Sequence, residues 1–195
     1  DPCDDLAAHG KYGGTLVAPT FRPDKLFTLD EAYLERLGET AGGDVSTLAG
    51  LLKSVEKRLL YFISRGCRIS DHGFCRFAQY YVTHSTAEKL YSERRSLNEE
   101  QKEALFGYLL VELARLYKKH HIIMQLHFAV TRNINAPMFA KCGADAGFDV
   151  IADRSPIQNV IQFFGQLSDE ERPETILYTL NDSELPALAC LTGAF

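Results

Sequence analysis

One stretch decides the fold: Ile122-Ile123-Met124-Gln125-Leu126-His127-Phe128-Ala129-Val130-Thr131-Arg132-Asn133-Ile134-Asn135. It begins as an apolar run and stops abruptly in a cluster of imidazole, guanidinium and amide groups. A strand that delivers polar side chains at its C-terminal end is how a (β/α) barrel builds an active site. The stretch therefore indicates an α/β fold whose chemistry acts on sugars or acids.

Two other places repeat this pattern. Residues 15–21 are strand-like and lead into the charged residues 22–25, and residues 67–69 lead into residues 70–72. Helical patterns separate the three runs, so we expect the strands to be parallel, with their charged clusters on one side of the sheet. The clusters should then converge.

Helical patterns also fill the first connection. One covers about residues 28–37 and opens with Thr28-Leu29-Asp30-Glu31, which fits a capping box. A longer amphipathic pattern, about residues 48–63, ends before Gly66. We interpret about residues 28–65 as a helical insertion.

The middle of the chain contains the most strongly patterned helix. Residues 74–94 are aromatic-rich and compatible with a helix, and Ser96-Leu97-Asn98-Glu99 then fits a second capping box. The helix that follows should run to about His120 and hand the chain directly to the strand at residues 122–128.

The last third alternates between loop, helix and strand signals. Residues 133–148 are polar and contain glycine, which predicts a long loop. Ser155 before Pro156 is expected to cap a helix. Residues 175–180 are typical of a strand, and Ser183 is expected to cap a final short helix.

Five segments resemble, in order and spacing, the central part of the uronate isomerase (glucuronate isomerase) family of the amidohydrolase superfamily. Each is short, but five in register are specific. The resemblance implies that residues 1–195 form a single domain, the central portion of a metal-dependent TIM (β/α) barrel that this piece leaves incomplete. The segments are residues 21–25, 67–72, 124–127 with 132–135, 147–153, and 175–181.

Length and composition agree with this interpretation. The chain has 195 residues, whereas a complete barrel of this type needs roughly 250. Net charge is -5, with no concentrated basic face, which argues against a nucleic-acid partner. No run of apolar residues is long enough for a membrane span. The five cysteines form no Cys-x-x-Cys pair, so we expect reduced thiols and a cytoplasmic protein.

Arg22 is the candidate group for binding a substrate carboxylate. It follows an apolar run, and Pro23 holds it in an extended conformation. A guanidinium binds a carboxylate through two parallel hydrogen bonds. From the sequence alone we favour a salt bridge between Arg22 and Asp24 or another acid at the rim of the barrel, whereas the resemblance implies contact with a sugar acid. Asp24 and Lys25 are expected to tie their loop together.

Two histidines are the candidate catalytic residues. His127 interrupts an apolar strand, where a histidine can be a metal ligand, a proton shuttle or a hydrogen-bonded core residue. Asp71 and His72 end the preceding strand, and because neighbours on a strand point to opposite faces, only one can face the barrel mouth. We favour His72 for the site, and a loop-fixing role for Asp71.

The resemblance also implies a metal, and we expect a divalent ion, zinc, in the full-length parent. His127 is a candidate ligand, because a histidine at the end of the fifth barrel strand often binds metal in this superfamily. The family's main ligands, an early His-x-His and a late Asp, should lie outside this chain.

Arg132 and Asn133 match a family segment that binds sugar hydroxyls, and we take both as substrate-binding candidates. The chain departs from the family at Ile134, which replaces a polar group, and at Asp182-Ser183, where the family has Pro-Arg. These changes indicate a divergent member.

The leading function is therefore interconversion of hexuronates, D-glucuronate to D-fructuronate or D-galacturonate to D-tagaturonate, in carbohydrate catabolism. The partner would be a small sugar acid, and a homo-oligomer is compatible with the aromatic positions. Two alternatives stay open at this point: a metal-dependent hydrolase of the same superfamily, and a non-catalytic binding or folding module. This piece alone is expected to be inactive.

Overall fold

A parallel sheet backed by helices organises the computed structural model, which describes residues 1–75, 77–152 and 156–195. The helices are α1 (Glu31–Ala41), α2 (Leu48–Ser64), α3 (His84–Ser92), α4 (Glu99–Lys119), α5 (Ala136–Cys142), α6 (Ile157–Phe164) and α7 (Leu185–Thr192). The strands are β1 (Gly10–Tyr12), β2 (Thr15–Val17), β3 (His72–Gly73), β4 (Met124–Phe128), β5 (Val130–Thr131), β6 (Val150–Ile151) and β7 (Thr175–Thr179).

The main sheet has the order β3-β4-β7, and all its pairs are parallel. Two further parallel bridges extend it, Phe21 to Ser70 and Ile69 to Ile123. Four segments of the chain therefore lie side by side in sequence order. This confirms the prediction of parallel strands joined by helical connections, the arrangement of consecutive strands in a (β/α) barrel.

The strand predicted at residues 15–21 is wrong in its extent. Thr15–Val17 forms an antiparallel hairpin with β1, and from that run the parallel sheet gains only the Phe21 bridge. Gly13 and Gly14 make the turn, with φ of 54° and 90°. A two-residue hairpin turn of type I′ needs positive φ at both positions, and glycine adopts it without strain.

Several predicted helix starts are shifted. Asp30, not Thr28, caps α1, because Thr28 ends a short 3-10 helix (Asp24–Thr28). In α4 the capping box is formed by Asn98 and Gln101, each side chain accepting the other's backbone N–H at 2.9 Å. Glu184 precedes α7 and makes no side-chain cap, so Ser183 does not cap it. The predicted cap at Ser155 lies outside the described residues.

Two segments differ in type from the prediction. Residues 133–148 contain α5, which Asn135 caps by accepting the Met138 N–H at 3.2 Å. In residues 74–94, the described helix is only His84–Ser92. The preceding aromatics pack instead of continuing a helix: the Phe77 ring lies 5.6 Å from that of Phe163, centroid to centroid.

The two faces of the sheet have different surroundings. On β4, Met124, Leu126 and Phe128 are buried, whereas Gln125 and His127 are only half-buried. Register places His127 beside Tyr178, and Tyr178 is exposed. We call the face that carries His127 and Tyr178 the open face, and the face packed against α4 the helix face. Within the described ranges, no helix has both the length and the apolar character needed to cross a membrane.

Candidate active site

Arg22 lies at the centre of a charged cluster where the strands end. Its Nε donates to Asp24 Oδ2 at 3.0 Å, and its Nη1 lies 3.1 Å from Asp71 Oδ2. The side chain is 46% exposed, so solvent or a ligand can still reach the guanidinium. Two carboxylates thus hold the planar fork in one orientation without enclosing it.

Asp71 connects Arg22 to His127. Asp71 Oδ1 lies 2.9 Å from His127 Nδ1, and the His127 side chain is 44% exposed. The Tyr178 ring packs edge-on against the imidazole, with the ring centroids 4.5 Å apart. Arg22, Asp71, His127 and Tyr178 form what we call the open-face cluster.

His72 is placed differently from its sequence neighbour. Its side chain is 0% exposed. Nδ1 lies 2.9 Å from Asp24 Oδ1, and Nε2 lies 3.0 Å from the hydroxyl of Tyr117 on α4. The expectation that only one of Asp71 and His72 faces the mouth agrees with this arrangement, but the geometry favours Asp71 where we had favoured His72. The catalytic role assigned to His72 is untested and stays a prediction.

Asp24 connects the buried His72 to the half-exposed Arg22. It accepts hydrogen bonds from His72, from the Gly73 backbone N–H at 3.0 Å and from Arg22. Burial by itself would raise the pKa of this carboxyl, but these hydrogen bonds outweigh burial and hold the pKa below its ordinary value. Asp24 is therefore ionised near neutral pH and ties its loop together, as expected from the sequence. Lys25 lies 3.4 Å from Asp1.

Arg132 and Asn133 belong to a second cluster. Arg132 Nη1 donates to Asp149 Oδ2 at 2.9 Å and to Asp145 Oδ1 at 3.2 Å. The Asn133 N–H donates to the other Asp149 oxygen at 2.9 Å. The segment follows β4 after the short strand β5 and so begins near the same end of the sheet as His127. Among the described contacts, however, Arg132 is joined to these acids and not to the open-face cluster, so its substrate role stays a prediction.

The described residues do not fit a complete metal centre. No three His, Cys, Asp or Glu side chains come together in residues 1–75, 77–152 and 156–195 in a way that could hold an ion. His127 offers one imidazole, with the Asp71 carboxylate at Nδ1, the arrangement usual behind a metal-bound histidine. Its Nε2 is the nitrogen left to meet a substrate or a metal.

The sequence analysis did not identify two residues that contact the candidate histidines, Tyr117 and Tyr178. Tyr178 lies opposite His127 in the register, a relation that needs the pairing of β4 with β7 and not the sequence of either strand alone. Tyr117 sits on the buried stripe of α4, where an aromatic residue is expected simply as core.

The glucuronate isomerase family matches residues 1–195, the whole chain. The chain belongs to this family. Its curated relatives include the uronate isomerase of Shouchella clausii, 37% identical over all of this chain and 44% of the relative, and that of Haemophilus influenzae, 36% identical over all of this chain and 45% of the relative. The chain thus spans less than half the length of these relatives.

Solved structures agree in fold. The uronate isomerase of Thermotoga maritima superimposes with a TM-score of 0.90 at 26% identity, over 100% of this chain and 46% of that one. The glucuronate isomerase of Caulobacter crescentus gives a TM-score of 0.82 at 27% identity, over 94% and 40%. These matches confirm the resemblance and the fold class: the chain is part of a TIM barrel, with parallel strands and extra helices.

Proposed function

We propose that the full-length protein containing this chain interconverts hexuronates, D-glucuronate with D-fructuronate or D-galacturonate with D-tagaturonate. Family membership over all 195 residues supports this. The observation that carries the proposal is the open-face cluster, which places a cation beside a histidine–carboxylate pair at the carboxyl ends of parallel strands.

Aldose–ketose isomerisation moves a proton between adjacent carbons through an enediol, so it needs a base and a cation for the substrate carboxylate. His127 is suited to move the proton. Asp71, whose Oδ1 lies 2.9 Å from Nδ1, stabilises by its charge the imidazolium that forms when Nε2 accepts a proton. Arg22, held by Asp24 and Asp71, would bind the carboxylate of the sugar acid.

We propose that the protein also uses a divalent metal, zinc, held mainly by residues outside this chain. His127 is its candidate ligand here only if another group moves the proton, because Nδ1 faces Asp71 and Nε2 cannot bind a metal and accept a proton at once. A reduced cytoplasm is the proposed location, since all five cysteines are free thiols.

The test is turnover of D-glucuronate and D-galacturonate by the full-length protein in D2O, followed by proton NMR. Isomerisation should place deuterium at C1 of the ketose, because the base removes the C2 proton of the aldose and the enediol is reprotonated at C1, and His127→Asn should lower kcat about a hundredfold or more, the size of a lost acid–base group. Hydrolysis of an amide or ester without any uronate turnover would instead establish the hydrolase alternative and overturn the proposal.

A further inference from the structure

His72 occupies a position from which it cannot touch a substrate. The imidazole is fully buried, and it stacks on Phe74 with the ring centroids 5.6 Å apart and the planes 20° apart. Both ring nitrogens already have partners, Asp24 at 2.9 Å and Tyr117 at 3.0 Å. A group that moves a substrate proton needs a nitrogen within reach of that proton, and His72 has none to spare.

The hydrogen bonds of His72 fit a ring that donates from Nδ1 and accepts at Nε2. Burial raises the pKa of Tyr117 well above its ordinary value, so its hydroxyl keeps its proton and can donate to Nε2. Nδ1–H then donates to Asp24 Oδ1. Each polar group in the line has a partner, which is the condition under which a buried polar network gives rigidity.

Asp24 carries this rigidity to the open face. Its Oδ1 faces His72, while its Oδ2 accepts from Arg22 Nε and from the Gly73 N–H, each at 3.0 Å. The carboxylate is therefore held at both oxygens. It in turn holds Arg22 Nε in one position. Without His72, Oδ1 would lose its buried donor and the carboxylate could rotate away from Arg22.

Gly73 provides the space in which the guanidinium lies. A Cβ at position 73 would come 2.5 Å from Arg22 Nη2, closer than any real contact of that kind. Gly73 has no positive φ that would explain the absence of a side chain. A side chain at position 73 would therefore displace the end of the Arg22 side chain from its present position.

We propose that Tyr117, His72 and Asp24 form a positioning chain, running from α4 to the open face, that holds the Arg22 guanidinium over Gly73 for the carboxylate of a sugar acid. This assignment rests on the proposed function. It makes His72 a positioning residue that acts through Arg22, in place of the proton-transfer role suggested by the sequence.

The test compares His72→Asn and His72→Leu in the full-length protein. Asn keeps a donor near the Nδ1 position, whereas Leu keeps none. If Arg22 holds the substrate carboxylate equally in the ground state and the transition state, weakening that contact raises KM and leaves kcat nearly unchanged. We expect KM to rise about tenfold for Leu, less for Asn, with kcat within about threefold and both limbs of the pH–rate profile unmoved.

A double-mutant cycle shows whether His72 acts through Arg22. On an Arg22→Ala background, His72→Leu should change KM by less than about twofold, because the group it positions is already gone. Full additivity of the two substitutions would overturn the proposal. So would a kcat loss of about a hundredfold or the disappearance of one limb of the pH profile, which would return His72 to proton transfer.

Controls come from two other pairs in the chain. His120→Asn breaks the His120–Glu56 contact of 2.7 Å away from the cluster, and should leave KM unchanged. If His72→Leu fails to fold, Tyr117→Phe removes only the hydroxyl and should still raise KM, whereas Tyr108→Phe, which breaks the 2.6 Å bond to His84, should not. Equal effects from Tyr117→Phe and Tyr108→Phe would overturn the positioning chain.

A binding measurement separates this proposal from the proposed function. D-gluconate has the carboxylate but no carbonyl to isomerise, and calorimetry reports its affinity without turnover. Loss of gluconate affinity in His72→Leu and Arg22→Ala would support the positioning chain even if no uronate is turned over. Unchanged affinity in His72→Leu, with lost affinity in Arg22→Ala, would overturn it.

Discussion

The Arg22 guanidinium carries the strongest prediction at the scale of one residue. Arg22→Ala in the full-length protein should raise the barrier by about 2–4 kcal/mol, the loss of a charge-assisted bidentate contact with substrate. Arg22→Lys should recover little of the lost kcat/KM, because an ammonium cannot reproduce the planar guanidinium that contacts both Asp24 and Asp71. Steady-state kcat/KM measures both. Unchanged kinetics in Arg22→Ala would mean that the chemistry lies elsewhere.

Asp24 predicts an acid-dependent loss of stability. Its folded-state pKa lies below the ordinary value of 3.8, so the ionised carboxylate contributes stability at pH above that value. The contribution is lost as pH falls through the lower, folded-state pKa. Urea unfolding of the full-length protein from about pH 5 down to about pH 2 should show this slope, and Asp24→Asn should flatten it. A slope that survives the substitution undiminished would assign it to other carboxyls.

The sequence predicts that Arg22 and His127 lie at strand ends, because each follows or interrupts an apolar run, and the structure places both beside Asp71. Their roles in substrate binding and catalysis came from the family resemblance and stay predictions. The ranking of Asp71 and His72 was not predictable, because adjacent strand residues point to opposite faces and a shift of one residue exchanges them. Only the pairing of His72 with Leu126 shows which of the two faces α4.

Helix α4 carries a prediction at the scale of one element. Gly107 lies in its interior, where replacing glycine by alanine normally adds about 0.5–1 kcal/mol of stability. Here the new Cβ would lie 2.0 Å from the Tyr80 carbonyl oxygen. Gly107→Ala should therefore destabilise the full-length protein, by about 1–3 kcal/mol as in other overpacked interiors.

Chemical denaturation checks the sign of that change. Lys118→Ala, at an exposed position on the same helix, is the control and should shift stability by less than about 0.5 kcal/mol. A stabilised Gly107→Ala variant would show that intrinsic helix propensity outweighs the contact with Tyr80.

Elements followed the sequence when long periodic patterns defined them. α2 and α4 have apolar positions at helical spacing over many turns, and both appear close to the predicted bounds. Two short features were missed. The β1–β2 hairpin depends on a Gly13-Gly14 turn directly before the predicted strand, and α5 depends on a cap at Asn135 inside a polar stretch. In both segments, one or two residues determine the local structure, and the hydrophobic pattern of the surrounding sequence does not.

At the scale of the whole molecule, the sheet has an uncovered boundary. β7 pairs with β4, and within the described residues its other edge has no strand partner. Large apolar side chains are exposed beside that edge, Ile176 and Tyr178 at 41% each and Leu180 at 58%. An unpaired edge with apolar side chains can pair with another chain. The relatives are more than twice as long, and a barrel closes such an edge with its remaining strands.

Residues 1–195 expressed alone should therefore self-associate and show no isomerase turnover. Association follows from the free β7 edge, and inactivity follows from a cluster that holds Arg22 and His127 but, in its described part, no group of three metal-binding side chains. Sedimentation velocity with a coupled uronate assay measures both.

Ile176→Lys, which adds a charge on the open face next to the edge, should shift the piece toward monomer. A wild-type piece that sediments as a monomer would show that the edge is already protected. Turnover of a uronate by that piece would mean that the chemistry needs no residue outside it.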